Sequence, residues 1–98
     1  VGTTRITSGE CWQLAKHASS VFAAVGIHPN YVHQSNQQDW IDILSWLEEN
    51  QRLPLSEQRI KAIGETGLDR YWDDCPWDAQ VESFERHIEA SRIFQLPL

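Results

Sequence analysis

Methionine is absent from this 98-residue chain, and cysteine is nearly so, with two residues. Cys11 and Cys75 are too few for a disulfide framework, and with no Cys-x-x-Cys pair they suggest no structural zinc site. They read as ordinary thiols of a reducing compartment, so the expected location is cytoplasmic. Basic residues are scarce as well: 8 Lys and Arg stand against 14 Asp and Glu, a net charge of −6. This argues against a protein that holds nucleic acid by a bulk basic footprint. A site that grips phosphates through a bound metal ion stays open. No apolar run approaches the ~20 residues of a membrane span, and no signal-peptide pattern stands at the start. No membrane association and no obligate protein partner are expected. Also missing are a Ser-His-Asp order, a phosphate-cradling glycine loop and a Cys-His pairing.

What is present is 41% hydrophobic residues, enough for a globular chain, in a length that suits one small domain or part of a larger one. Residues 1–4 suit the last residues of a strand. A helix is expected to open at Thr7, where Thr7 and Glu10 have capping-box spacing. Its apolar face would be Cys11, Leu14, Ala15 and Ala18, at i, i+3, i+4 and i+7. Residues 21–27 (VFAAVGI) form a continuous apolar run, as in a parallel strand covered on both faces. His28-Pro29 ends that run, because proline donates nothing to a ladder.

After a polar loop, Ser35 and Gln38 repeat the capping-box spacing. Trp40, Ile43, Leu44 and Leu47 mark a second helix, with Ile41 and Trp46 widening its stripe and Asn50 as a left-handed stop. Residues 60–64 (IKAIG) give another strand, and residues 64–76 a loop rich in Gly, Asp, Trp and Pro. Pro76 suits the first turn of a last helix, whose face would run through Val81, Phe84, Ile88 and Ser91. Repeated strand–helix alternation predicts an α/β fold with a parallel sheet, without choosing between an open sheet and a closed barrel.

Ligands of parallel α/β folds bind beyond the carboxyl ends of the strands. Two such ends are readable: Gly26, Ile27, His28, Pro29, and Gly64, Glu65, Thr66, Gly67, Leu68, Asp69. If the strands are neighbours, His28 and Glu65 face one rim. The alternative for Glu65 is a loop carboxylate that accepts backbone N–H groups, and for His28 a strand-end ring bonded to a carbonyl. Asp69 suits a loop-stabilising role, and His17 and His87 suit solvated or packed positions on helices. His33 follows in the loop after His28. Trp72 and Trp77 either wall the rim or pack the loop. One carboxylate does not hold a catalytic metal alone, so partners of Glu65 would come from outside this segment.

The blocks AVGIHP (24–29) and AIGETGLDRYW (62–72), with Gln80 and Phe84 on the following helix and Leu96, Pro97, Leu98 after it, resemble the TatD family of metal-dependent hydrolases and deoxyribonucleases. The likeness runs along the whole chain, and its GE-x-GLD block is specific. It implies part of a TIM-type (β/α)8 barrel of the metal-dependent hydrolase (amidohydrolase-like) superfamily. Residues 1–98 would be a single incomplete domain, from the end of strand 2 through the helix after strand 4, since a full barrel takes about 250 residues. The resemblance further implies one or two divalent metal ions (Mg, Mn or Zn), with Glu65 as a metal ligand, His28 as a substrate contact and DNA as substrate. The other ligands, an early HxH pair, two later histidines and a late aspartate, would lie outside this chain. The implied reaction is phosphodiester hydrolysis by metal-activated water. The alternatives are hydrolysis of a small amide, ester or lactone, or an inactive truncated fragment. Three positions depart from the family pattern: Asn30 for the second histidine of HPH, Thr66 for isoleucine, and Arg70 for the first of two tyrosines.

Overall fold

A computed structural model describes all 98 residues. Three helices, α1 (Arg5–His17), α2 (Gln37–Arg52) and α3 (Trp77–Phe94), alternate with two short strands, β1 (Ala23–Val25) and β2 (Ile60–Ile63). The strands pair in parallel, Ala24 opposite Ala62 and Val25 opposite Ile63. Flanking segments lie on both sides of the pair. Gly2 N–H donates to Ala24 O (2.9 Å), and His28 N–H to Thr3 O (2.8 Å). On the other side Ile63 N–H donates to Pro97 O (2.8 Å). The expected βα order is therefore present, with extended chain beside both strands. No helix is long and apolar enough to cross a membrane.

Helix caps differ from the sequence reading in a regular way. α1 is capped by Thr4, not Thr7. The Thr4 hydroxyl accepts from Thr7 N–H, and the Thr7 hydroxyl accepts from Thr4 N–H at 2.9 Å, so a threonine occupies the place usually held by Glu or Gln. α2 is capped by Asn36 with Asp39, one residue after the expected Ser35 and Gln38, while the Ser35 hydroxyl donates to Val32 O. Preceding α2, Pro29–Gln34 forms a 3₁₀ turn in what was read as plain loop.

The core is formed by Trp12 and Ala15 of α1, Ala23, Val25 and Ile27 around β1, Trp40, Ile43 and Leu47 of α2, Ile60 and Ile63 of β2, and Ala90 of α3. Leu14, expected on the buried face of α1, is 63% exposed; Ser8, Trp12 and Ala15 point inward instead. α3 is rotated likewise: Ile88 is 44% exposed, and Gln80, His87 and Ala90 are buried. In both helices a polar side chain with backbone targets inside the fold (Ser8, Gln80, His87) sets the phase. Periodicity of apolar residues alone does not register it.

Asn50 is the fourth buried polar anchor. It lies within α2 and does not end it in a left-handed conformation; Gln95, after α3, is the one non-glycine residue with positive φ. The Asn50 side-chain oxygen accepts from Arg59 N–H (2.9 Å) and Ile60 N–H (3.1 Å), and its amide donates to Ile60 O (3.3 Å). It thereby starts β2 opposite Ala23, whose N–H bonds Arg59 O. Replacing Asn50 with Ala leaves these backbone groups without partners. We expect Asn50→Ala to destabilise the protein by about 2–4 kcal/mol, read as a lower urea midpoint at constant slope.

Candidate functional site

β1 stops pairing after Val25, so Gly26 and Ile27 need other partners for their backbone groups. α1 and α3 supply them. The buried Ser8 hydroxyl accepts from Gly26 N–H and donates to Gly26 O, each at 3.0 Å. From α3 the buried His87 ring accepts Ile27 N–H at Nε2 (3.0 Å) and donates from Nδ1 to Ser83 O (2.7 Å). Only glycine fits at Gly26: a Cβ there would lie 2.9 Å from the carbonyl carbon of Gly64. This close approach brings the ends of β1 and β2 together and delivers His28 and Glu65 to one rim.

His28 caps the 3₁₀ turn, its Nδ1 accepting from Asn30 N–H at 3.1 Å. The neutral ring therefore carries its proton on Nε2. That nitrogen lies 3.9 Å from Glu65 Oε1, outside direct hydrogen-bond reach. Glu65 follows a cis Gly64–Glu65 peptide bond, and its N–H donates to Gly2 O (2.8 Å). Its side chain is 56% exposed at the rim. Gly67, with φ of 141°, lets the loop turn onward in a conformation that side chains disfavour.

Asp69 stabilises that loop, as its sequence context suggests. Its carboxylate accepts from Tyr71 N–H (2.8 Å) and from the Asn30 amide (3.0 Å), and its N–H donates to the buried Gln80 side chain (2.9 Å). Gln80 in turn donates to Cys75 O (3.0 Å). Asn30 is thus a structural tie between the two rim loops. Arg70 stacks on the Trp77 ring at 3.9 Å rather than pairing with Asp73 or Asp74. His17 is exposed on α1 and His33 at the surface of the 3₁₀ turn. Cys11 and Cys75 are free thiols.

No three His, Cys, Asp or Glu side chains converge to hold a metal ion. The rim contributes one oxygen donor, Glu65. His28 is poised as an Nε2–H donor, not as a ligand through that nitrogen.

A family profile described as TatD related DNase matches residues 1–98. The chain belongs to the TatD-related DNase family. It is 31% identical over its full length to a Bacillus subtilis protein named uncharacterized metal-dependent hydrolase YabD, covering 35% of that protein. It is 33% identical over 85 residues to the Escherichia coli metal-dependent hydrolase YcfH, covering 28% of it. The crystal structure of YjjV, a TatD homologue from Escherichia coli, superposes with a TM-score of 0.83 over 98% of this chain and 35% of that one, at 23% identity. The TatD-family chain thus spans about a third of the length of these relatives, and its fold is that of part of a TIM-type barrel.

The sequence reading brought His28 and Glu65 to the same rim, and the structure places them there. It missed Ser8 and His87, which hold the strand end. Their signal was a polar residue in phase with apolar ones: Ser8 with Trp12 and Ala15, His87 with Ala90. Burial pushes the His87 pKa below the ordinary histidine range, partly offset by its bond to Ser83 O. Its depressed folded-state pKa makes the folded protein bind fewer protons than the unfolded chain just below pH 6.5. Stability from this group is fully present above about pH 6.5 and is lost as pH falls towards the folded-state value. We expect stability to drop on acidification from pH 6.5 by at most about 1.4 kcal/mol per pH unit from this group. Denaturant titrations of His87→Gln should lack that component.

Proposed function

We propose that these 98 residues form part of a longer barrel whose intact protein is a metal-dependent hydrolase of phosphodiester bonds in DNA. The observation that carries this reading is the pairing of an exposed carboxylate, Glu65, with an outward Nε2–H donor, His28, 3.9 Å apart at the carboxyl ends of adjacent parallel strands. Family membership and the names of the relatives support it. Only 19 of the 98 residues are buried, and large apolar side chains such as Phe22 and Leu14 are exposed, as expected of a sheet and helix layer that more chain would cover.

In this reading Glu65 contributes one oxygen ligand to a divalent metal site, whose remaining ligands lie outside residues 1–98. Such an ion, when bound, lowers the pKa of its water and polarises a phosphoryl oxygen. Glu65 is held towards the rim by its N–H bond to Gly2 O. His28, its ring fixed by Asn30 N–H, donates from Nε2 to a non-bridging phosphate oxygen and orients the scissile group. The net charge of −6 suits a site in which a cation, and not a basic surface, neutralises the phosphate.

In the intact protein, Glu65→Gln is expected to lower bound divalent metal, measured by elemental analysis, and to lower DNA turnover by more than the ~100-fold that loss of an outer-shell partner costs. His28→Ala should raise KM for DNA about tenfold with metal content unchanged. Unaltered metal content and turnover in Glu65→Gln would remove Glu65 from the site. Faster turnover of small esters, amides or lactones than of DNA would reassign the substrate.

The isolated segment 1–98 leaves strand edges uncovered and offers one ligand. It should melt with poor cooperativity and show no metal-dependent nuclease activity. A sharp two-state transition with robust turnover would contradict the partial-barrel reading.

A further inference from the structure

We propose that the cavity between the 3₁₀ turn and the loop after β2 is a subsite that stacks one nucleobase of a single-stranded substrate beside the rim. This deepens the phosphodiester reading above and rests on it. The cavity, of about 590 Å³, is lined by Asn30, Tyr31, His33, Gln34, Trp72 and Asp74. Its size falls within the roughly 300–1,000 Å³ of small-ligand sites. Two large aromatic side chains line it while remaining open to solvent: Tyr31 is 39% exposed and Trp72 56%. The Tyr31 ring also lies 5.6 Å from the His28 ring, so the cavity adjoins the residue assigned to the phosphate.

The chemistry of the lining selects the occupant. Asp74 is an anion and the cavity wall contains no Lys or Arg, so a phosphate is disfavoured there while a neutral, flat, aromatic group is accepted. Aromatic side chains stack on any base, and the Gln34 amide and the His33 ring offer polar groups to its edge. Trp77 is unsuited as the platform, because the Arg70 guanidinium already covers its ring at 3.9 Å. Trp72 is instead buttressed by Tyr71, edge to face at 4.9 Å. Asn30 is held by Asp69, and Asp69 by Gln80, so this wall is pre-set by a buried side chain of α3. A base within a duplex is already stacked on its neighbours, so the subsite favours unpaired strands.

The test uses the intact protein and two phosphate-free probes, deoxyadenosine and deoxyribose, followed by saturation-transfer NMR on the probe's protons. Deoxyadenosine is expected to bind and deoxyribose not. Trp72→Leu and Tyr31→Leu should each weaken deoxyadenosine binding about tenfold, and Trp72→Phe should retain it. Binding to either Leu variant as tight as to the unaltered protein, or equal binding of deoxyribose, would overturn the subsite. Because the probes carry no phosphate, the result stands apart from hydrolysis. A protein that cleaves no DNA yet binds deoxyadenosine through Trp72 would retain the subsite and lose the phosphodiester reading.

Discussion

The site depends on how one strand end is terminated. Beyond Val25 the backbone of β1 leaves the parallel ladder inside the protein, where unpaired N–H and C=O groups are costly. Ser8 from α1 satisfies both backbone groups of Gly26, and His87 from α3 takes the N–H of Ile27. Two helices, α1 and α3, thus hold the two residues that precede His28. With Gly26 against Gly64, the same bonds set the separation of the strand ends, and through it the distance from His28 to Glu65.

A second network controls the loops. Gln80, Asp69 and Asn30 link the N-terminal part of α3, the loop after β2 and the 3₁₀ turn through three side chains. The position at which the family pattern has a histidine holds Asn30 here, and its amide is engaged by Asp69. Asn30 therefore works between loops. The acidic charge of the chain is consistent with this economy of basic groups: Arg70 is engaged with Trp77, and Arg5, Arg86 and Arg92 pair with carboxylates on helices.

Much of this was legible in the chain itself. A continuous apolar run at 21–27 and a shorter strand pattern at 60–63, separated by a helical stripe, predicted parallel strands, and the two strands pair so. Glycine and proline marked where the strands ended, and the first carboxylate and imidazole after those ends became the rim. The caps were misplaced by one turn at Thr7 and by one residue at Ser35, because several adjacent Ser, Thr, Asn and Asp residues satisfy the same spacing rule. The inward faces of α1 and α3 were misjudged because Ser8, Gln80 and His87 count as polar in a periodicity argument, yet each is buried against a backbone group distant in sequence.

By itself, then, the sequence determined the βα order and the identity of the two rim side chains, while the first strand, expected over 21–27, pairs only over Ala23–Val25; local periodicity and turn chemistry act over a few neighbouring residues. Tertiary structure alone decided the helix phases and the spacing of His28 from Glu65. Those follow from hydrogen bonds such as His87 to Ile27 and Asn30 to Asp69, whose partners lie 60 and 39 residues apart and meet only when the chain is folded.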